Sequence, residues 1–134
     1  MSTLPVTGRC FCGNVQFEVT EWPSYACHCH CESCQRASGA PFVTWTTFPT
    51  ASFRVTGGKL TEHHSSPGVT RGHCSDCGSS ITYAHQGRPG EIDITAACFT
   101  DAAFVVPQAH IWLEDKLPWV EINDELPKYR RRVT

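Results

Sequence analysis

The stretch Cys29-His30-Cys31-Glu32-Ser33-Cys34 places three thiols in a C-x-C-x-x-C pattern near the start of the chain. A cysteine thiolate binds zinc at about 2.3 Å, and a catalytic zinc typically keeps three protein ligands and an open fourth position. Three thiols at this spacing rarely coincide without a metal or redox role. The stretch therefore predicts a metal site with Cys29, Cys31 and Cys34 as its ligands.

Two further cysteine pairs flank this stretch. Cys10-Phe11-Cys12 precedes it and Cys74-Ser75-Asp76-Cys77 follows it, and together they supply four more thiols. A C-x-x-C pair with a redox role opens a helix in a βαβ unit, whereas residues 79–83 look like a strand. We therefore expect a closed, structural zinc site, and two zinc ions per chain. The four structural ligands would be Cys10, Cys12, Cys74 and Cys77.

A fourth thiol beside the central stretch leaves its coordination open. If residues 27–31 are extended, their three cysteines share one face of the strand, and His28 and His30 share the other. Four ligands, with Cys27 included, would make the site closed and structural. Three ligands would leave a position for a substrate. The sequence supports both alternatives.

Composition and charge exclude several classes of protein. The 134 residues carry a formal net charge of −2, which lacks the basic footprint of a nucleic-acid-binding protein. The N-terminus does not resemble a signal peptide, and no apolar run approaches the ~20 residues of a membrane span. We expect a cytoplasmic protein with neither a nucleic-acid nor a membrane partner. Nine cysteines in a reducing compartment favour metal binding over disulfides.

Short strand-like runs make up most of the remaining sequence. Residues 15–19 alternate apolar and polar side chains, and residues 41–48 are rich in β-branched and aromatic side chains. A short helix is expected at residues 35–38, ended by Gly39. Further strand-like runs are 53–55, 60–64, 79–83, 92–96, 110–113 and 119–122. The pattern predicts an all-β or β-dominated fold of short antiparallel strands.

The chain length suits a single domain over residues 1–134. Its core is expected at about residues 6–127, followed by a solvated basic tail at 128–134.

Two further residues, Cys98 and His110, are of types that can take part in catalysis or metal binding. We interpret Cys98 as a buried thiol without chemistry and His110 as a hydrogen-bonded structural histidine.

The ordered cysteine motifs resemble the glutathione-dependent formaldehyde-activating enzyme family, also called the centromere-protein-V-like zinc domain. The resemblance covers nearly the whole chain, and three cysteine motifs in this order are specific. It implies a zinc-centred β fold, shared with a chaperone of small GTPases, with a structural and a second zinc at the sites described above. The matching segments are residues 8–15, 29–36, 39–42, 74–78, 110–112, 118–119 and 124–127.

The resemblance implies carbon–sulfur lyase chemistry. In this family formaldehyde and glutathione condense to S-hydroxymethylglutathione, and the adduct is cleaved in the reverse reaction. Zinc coordination deprotonates a thiol, so a zinc ion can hold a substrate thiolate or polarise an aldehyde oxygen. Cys29, Cys31 and Cys34 would then hold the catalytic ion, with glutathione or another thiol adduct of a small aldehyde as substrate.

Two departures from the family pattern keep a second function open. Cys27 adds a thiol beside the second site, and Gln35 stands where an arginine is common. If Cys27 closes that site, both zinc ions are structural. The protein would then be a non-catalytic zinc-binding module that recognises a protein partner, because a fold alone does not select an enzyme.

Overall fold

Two β-sheets and one short helix form most of the computed structural model, which describes residues 3–133. The strands are β1 (Val6–Arg9), β2 (Gln16–Val19), β3 (Tyr25–Cys29), β4 (Val43–Pro49), β5 (Phe53–Gly57), β6 (Leu60–Ser66), β7 (Val69–Cys74), β8 (Ser80–His85), β9 (Glu91–Thr95) and β10 (His110–Ile111). The helix α1 spans Glu32–Ser38, and single 3₁₀ turns lie at Thr50–Ser52, Ala96–Cys98 and Leu113–Asp115.

The strand order confirms a β-dominated fold. The smaller sheet has the order β1-β2-β5 and the larger sheet the order β10-β3-β4-β9-β8-β7-β6. Neighbouring strands are antiparallel with one exception, since β10 pairs in parallel with β3. The expectation of antiparallel strands therefore holds for every pair but this one.

A continuous apolar core packs between the sheets. Phe17, Phe48, Ile81 and Ile94 are fully buried in it. In β2 the side chains alternate between buried and more exposed positions, as the period of two in residues 15–19 predicts. Burying one such side chain contributes about 1.5–3 kcal/mol. A separate, smaller cluster of Cys29, Cys34, Val43 and Trp45 lies beneath the central cysteine stretch.

The helix α1 follows β3 and returns the chain towards it. Cys31 caps its N-terminus, where the Cys34 amide donates to Cys31 Sγ at 3.3 Å. Gly39 ends the helix in the left-handed conformation at φ 72°. The helix predicted at residues 35–38 is confirmed and begins one turn earlier. No helix within residues 3–133 is long and apolar enough to cross a membrane.

The strand predictions are wrong at two places near the C-terminus. Of residues 110–113 only the first two are in a strand, because Trp112 adopts φ 58° and a 3₁₀ turn follows. Residues 119–122 form no strand. There the Val120 amide donates to the Leu117 carbonyl in a local turn, which leaves it unavailable to a neighbouring strand. The sequence reading also missed β1.

The C-terminal segment runs beside β10. The amide of His110 donates to the Pro127 carbonyl at 2.9 Å, and the Tyr129 amide donates to the His110 carbonyl at 2.9 Å. The Trp112 amide donates to the Arg131 carbonyl at 2.8 Å. Side chains of the basic tail are mostly exposed, as expected for a solvated segment, but its backbone up to Arg131 is bound to the edge of the larger sheet.

Candidate metal centres and active-site cavity

Four cysteines converge where the smaller sheet meets the β7–β8 turn. The Sγ atoms of Cys10, Cys12, Cys74 and Cys77 all lie within 4.8 Å of one another. Cys12 Sγ is 3.6 Å from Cys10 Sγ and 3.8 Å from Cys74 Sγ. Four thiolates around zinc at 2.3 Å would be separated by about 3.8 Å. The predicted grouping is therefore present, and its dimensions fit a zinc ion.

Backbone amides support the sulfurs of this group. The Val15 amide donates to Cys10 Sγ at 3.2 Å, and the Asn14 amide donates to Cys12 Sγ at 3.4 Å, across the turn at Gly13. Such bonds favour the thiolate form that metal binding needs. The two turns are also joined directly, because Asn14 Nδ2 donates to Asp76 Oδ2 at 2.8 Å.

A second group of three cysteines forms between β3 and α1. The Sγ atoms of Cys29, Cys31 and Cys34 lie within 4.8 Å of one another, and Cys29 Sγ is 3.6 Å from Cys34 Sγ. Contacts with Cys29 and Cys31 lower the pKa of Cys34 far below that of a free thiol. The Trp45 indole, whose Nε1 donates to Cys34 Sγ at 3.4 Å, acts in the same direction. This donor set fits zinc with three protein ligands.

Cys27 shares the face of β3 used by Cys29 but does not join the group. Its Sγ lies outside the set of sulfurs that are all within 4.8 Å of one another. Burial raises the pKa of the Cys27 thiol to about 12, with the charge of Asp93 adding to the effect. In this geometry Cys27 lines the wall of the site without joining the three sulfurs, which supports the three-ligand alternative.

A cavity of about 570 Å³ opens beside the three-cysteine group. This volume falls within the range of small-molecule sites. Cys27 and the three cysteines line it, whereas none of the four-cysteine group does. The aromatic part of its wall is Tyr25, Trp45, Tyr83 and Trp112, and the charged part is Glu32, Arg71, His85, Arg88, Asp93, Asp115 and Arg132.

Two arginines of the cavity differ in their partners. Arg88 forms ion pairs with Asp93 and Glu91. Arg71 Nε donates to Ser65 Oγ at 3.1 Å, and its guanidinium carbon lies 4.9 Å from the Tyr83 ring centroid. The sequence reading did not single out Arg71. The available signal was the period of two along β7, which places it on the buried face with Val69.

Histidines occupy the opposite side of β3, as the alternation predicts. His30 Nε2 lies 2.9 Å from His110 Nδ1, and His110 Nε2 lies 2.9 Å from Asp124 Oδ2. His110 is thus the hydrogen-bonded structural histidine that was expected. The His28 ring packs against His110 with centroids 4.8 Å apart. Cys98 is half-buried rather than buried, and burial raises the pKa of its thiol.

Comparison with known proteins settles the family. Residues 5–115 match the family described as glutathione-dependent formaldehyde-activating enzyme. The chain belongs to this family. An uncharacterized lyase of Schizosaccharomyces pombe is 28% identical over 112 residues, which cover 81% of this chain and 79% of that protein.

A solved structure supports the fold of this family member. A Rhodobacter sphaeroides protein of known crystal structure has a TM-score of 0.60 at 22% identity. The match covers 92% of this chain and 98% of that protein. The β architecture described above is therefore one that has also been observed experimentally.

Proposed function

We propose that this family member is a carbon–sulfur lyase. Its substrate would be the S-hydroxymethyl adduct of glutathione, or of another thiol with formaldehyde or a small aldehyde. The observation that carries the proposal is the position of Cys29, Cys31 and Cys34 in the wall of the cavity. In this proposal they hold a catalytic zinc, and the four-cysteine group, which lies away from the cavity, holds a structural zinc.

The reaction makes or breaks one carbon–sulfur bond. In the cleavage direction the C–S bond breaks and its electron pair goes to sulfur, while the hydroxyl O–H bond breaks, its proton passes to solvent, and its electron pair forms the carbonyl of formaldehyde. Bound zinc would supply a Lewis acid that favours the thiolate form of the leaving sulfur. The cysteines would hold that ion at the cavity wall, and the rings of Trp45, Tyr83 and Trp112 form an aromatic surface beside it.

Zinc stoichiometry tests the assignment of ligands. Two zinc ions per chain are expected for the wild type, one for Cys31→Ser and two for Cys27→Ser, measured by elemental analysis of purified protein. Cys98→Ser is the matched control, because this thiol lies outside both groups. Loss of the second zinc in Cys27→Ser would instead indicate a closed four-cysteine site and the non-catalytic zinc-binding module.

Turnover tests the reaction itself. Wild-type protein and Cys98→Ser are expected to accelerate release of formaldehyde from S-hydroxymethylglutathione above the spontaneous rate. Cys31→Ser is expected to lose that acceleration, because its three-ligand site is broken. Wild-type protein with two bound zinc ions and no acceleration would contradict the proposed lyase activity on this adduct.

A further inference from the structure

Arg71 is a buried cation in the cavity, and no carboxylate within residues 3–133 forms an ion pair with it. It lies in the middle of β7, and only 6% of the residue is exposed. Its Nη1 is buried and has no hydrogen-bond partner among the residues that the structure describes. Leaving such a donor unsatisfied destabilises the fold, and more strongly for a charged group than for a neutral one. Because Arg71 also lines the cavity, a ligand bound there could supply an acceptor to its guanidinium.

No carboxylate forms an ion pair with Arg71 in the part of the chain that the structure describes. The half-buried Arg88 of the same cavity, in contrast, is paired with two carboxylates. The carboxylate of Asp93 is already used, since it accepts from Arg88 and from Thr47 Oγ1. Arg71 therefore has no carboxylate partner among the described residues and is available to one from a ligand.

The guanidinium is also held in place. The Tyr83 ring supports it from one side, and Ser65 accepts from its Nε. The Tyr83 ring packs against Trp45 with centroids 5.8 Å apart, and the Trp45 indole in turn donates to Cys34 Sγ. Trp45 and Tyr83 thus form an aromatic wall between the three-cysteine group and Arg71. This wall fixes the position of the guanidinium relative to the three cysteine sulfurs.

The geometry points to Arg71 as the residue that binds a carboxylate of the substrate. A guanidinium presents two parallel N–H groups that match a carboxylate, and such charge-assisted bonds are the stronger ones. The cavity would then select thiol adducts that carry a carboxylate away from the reacting sulfur and discriminate against neutral thiols. This inference rests on the proposed function, because it concerns the same cavity, and it assigns Arg71 a role in specificity.

A purely electrostatic role is the competing explanation. The positive charge of Arg71 lowers the pKa of Cys34, so the residue could serve only to offset the charge of the thiolates. Loss of Arg71 would then reduce zinc binding. It would not change the relative affinities of acidic and neutral ligands, so binding separates the two roles.

The test compares one ligand with and without its negative charges. Calorimetric titration of the zinc-loaded protein uses S-methylglutathione and its diethyl ester, which contain no hydroxymethyl group to cleave, so binding is read without turnover. Wild-type protein is expected to bind the acid at least tenfold more tightly than the ester. Arg71→Gln is expected to lose this preference and Arg71→Lys to retain part of it. Arg54→Gln, an exposed arginine on the smaller sheet, is the matched control and should keep it.

The outcomes separate this inference from the proposed reaction. Three results would overturn the inference. They are equal binding of the acid and the ester by the wild type, binding of neither ligand by the wild type, and an unchanged preference for the acid in Arg71→Gln. Zinc content and thermal unfolding are measured for every variant. If Arg71→Gln does not fold, the inference is tested with the wild type and Arg71→Lys alone. A preference for the acid in Arg71→Lys that equals that of the wild type would then overturn the inference. Preferential binding of the acid without lyase turnover would support the carboxylate site and contradict only the reaction.

Discussion

At the scale of single residues, the indole of Trp45 supports the three-cysteine group through one bond to Cys34 Sγ. Trp45→Phe removes this donor but keeps an aromatic ring in the smaller core cluster. Groups that orient metal ligands typically change metal affinity 10–100-fold. We expect zinc at this site to bind about tenfold more weakly. Competition with a chromogenic chelator measures the affinity. Trp22→Phe, far less buried, is the control, and equal affinities in the two variants would contradict the assigned role.

The cysteine grouping was predictable from residues, whereas the cavity cation was not. Ligand type and spacing are local within each motif, so the three-cysteine group follows from one short stretch, and the four-cysteine group was predicted by pairing two distant motifs that together supply four thiols. For Cys27, the alternation along the strand correctly predicted the face on which the side chain lies. It could not predict the distances that separate the Cys27 sulfur from the three-cysteine group. The role of Arg71 depends on Tyr83 and Ser65, which reach it only through strand pairing.

At the scale of secondary-structure elements, two glycines of similar conformation make a matched pair. Gly58 has φ 69° and Gly39 has φ 72°. A Cβ at Gly58 would collide with the Asn14 carbonyl oxygen beside the first cysteine turn, whereas nothing lies within 4 Å of a Cβ at Gly39. Left-handed backbone alone costs an alanine about 1–2 kcal/mol.

Alanine at these two positions is therefore expected to destabilise the fold unequally. Gly39→Ala should lower the free energy of unfolding by about 1 kcal/mol, and Gly58→Ala by about 3 kcal/mol or more, because the backbone around Asn14 must shift. Urea unfolding of the two variants measures the difference. Equal losses of unfolding free energy in the two variants would show that the left-handed backbone conformation alone determines the destabilisation.

Strands were predictable where only one face is buried, because the alternation of apolar and polar residues then matches the alternation of buried and exposed side chains. The run at 15–19 is of this kind, whereas β9 is buried along nearly its whole length. The strand prediction for residues 119–122 was wrong because strand propensity does not specify a pairing partner. The amide of Val120 donates within a local turn instead. β1 was missed because Gly8 occupies an inward position. A side chain there would collide with the Phe17 ring, so the apolar signal is absent.

At the scale of the whole molecule, Asp124 fastens the C-terminal segment to the larger sheet through His110 Nε2. That hydrogen bond lowers the pKa of Asp124 below its usual value of 3.8. The ionised carboxylate therefore stabilises the fold above about pH 4. This contribution is lost as the pH falls through the lowered pKa, because the folded state must then take up the proton.

The pH dependence of Asp124→Asn tests this attachment. At pH 7 the variant should unfold a few degrees below the wild type. The difference should shrink as the pH falls below about 4 and disappear below the lowered pKa, where the wild-type carboxyl is protonated in the folded state as well. Thermal unfolding of both proteins across this range removes acid effects common to them, such as loss of metal. Glu125→Gln is the neighbouring control, and a difference that does not vary with pH would contradict the role of the charge.

The parallel pairing of β10 with β3 has a consequence for the order of events during synthesis. A ribosome completes β3 about 80 residues before His110 arrives to cover its edge. The stretch from Cys29 to Cys34 is by then complete, whereas Cys12 must wait 62 residues for Cys74. The growing chain can therefore capture a metal ion first at the site proposed to be catalytic. An ion held by the four-cysteine group could bind only after the β7–β8 turn has been made.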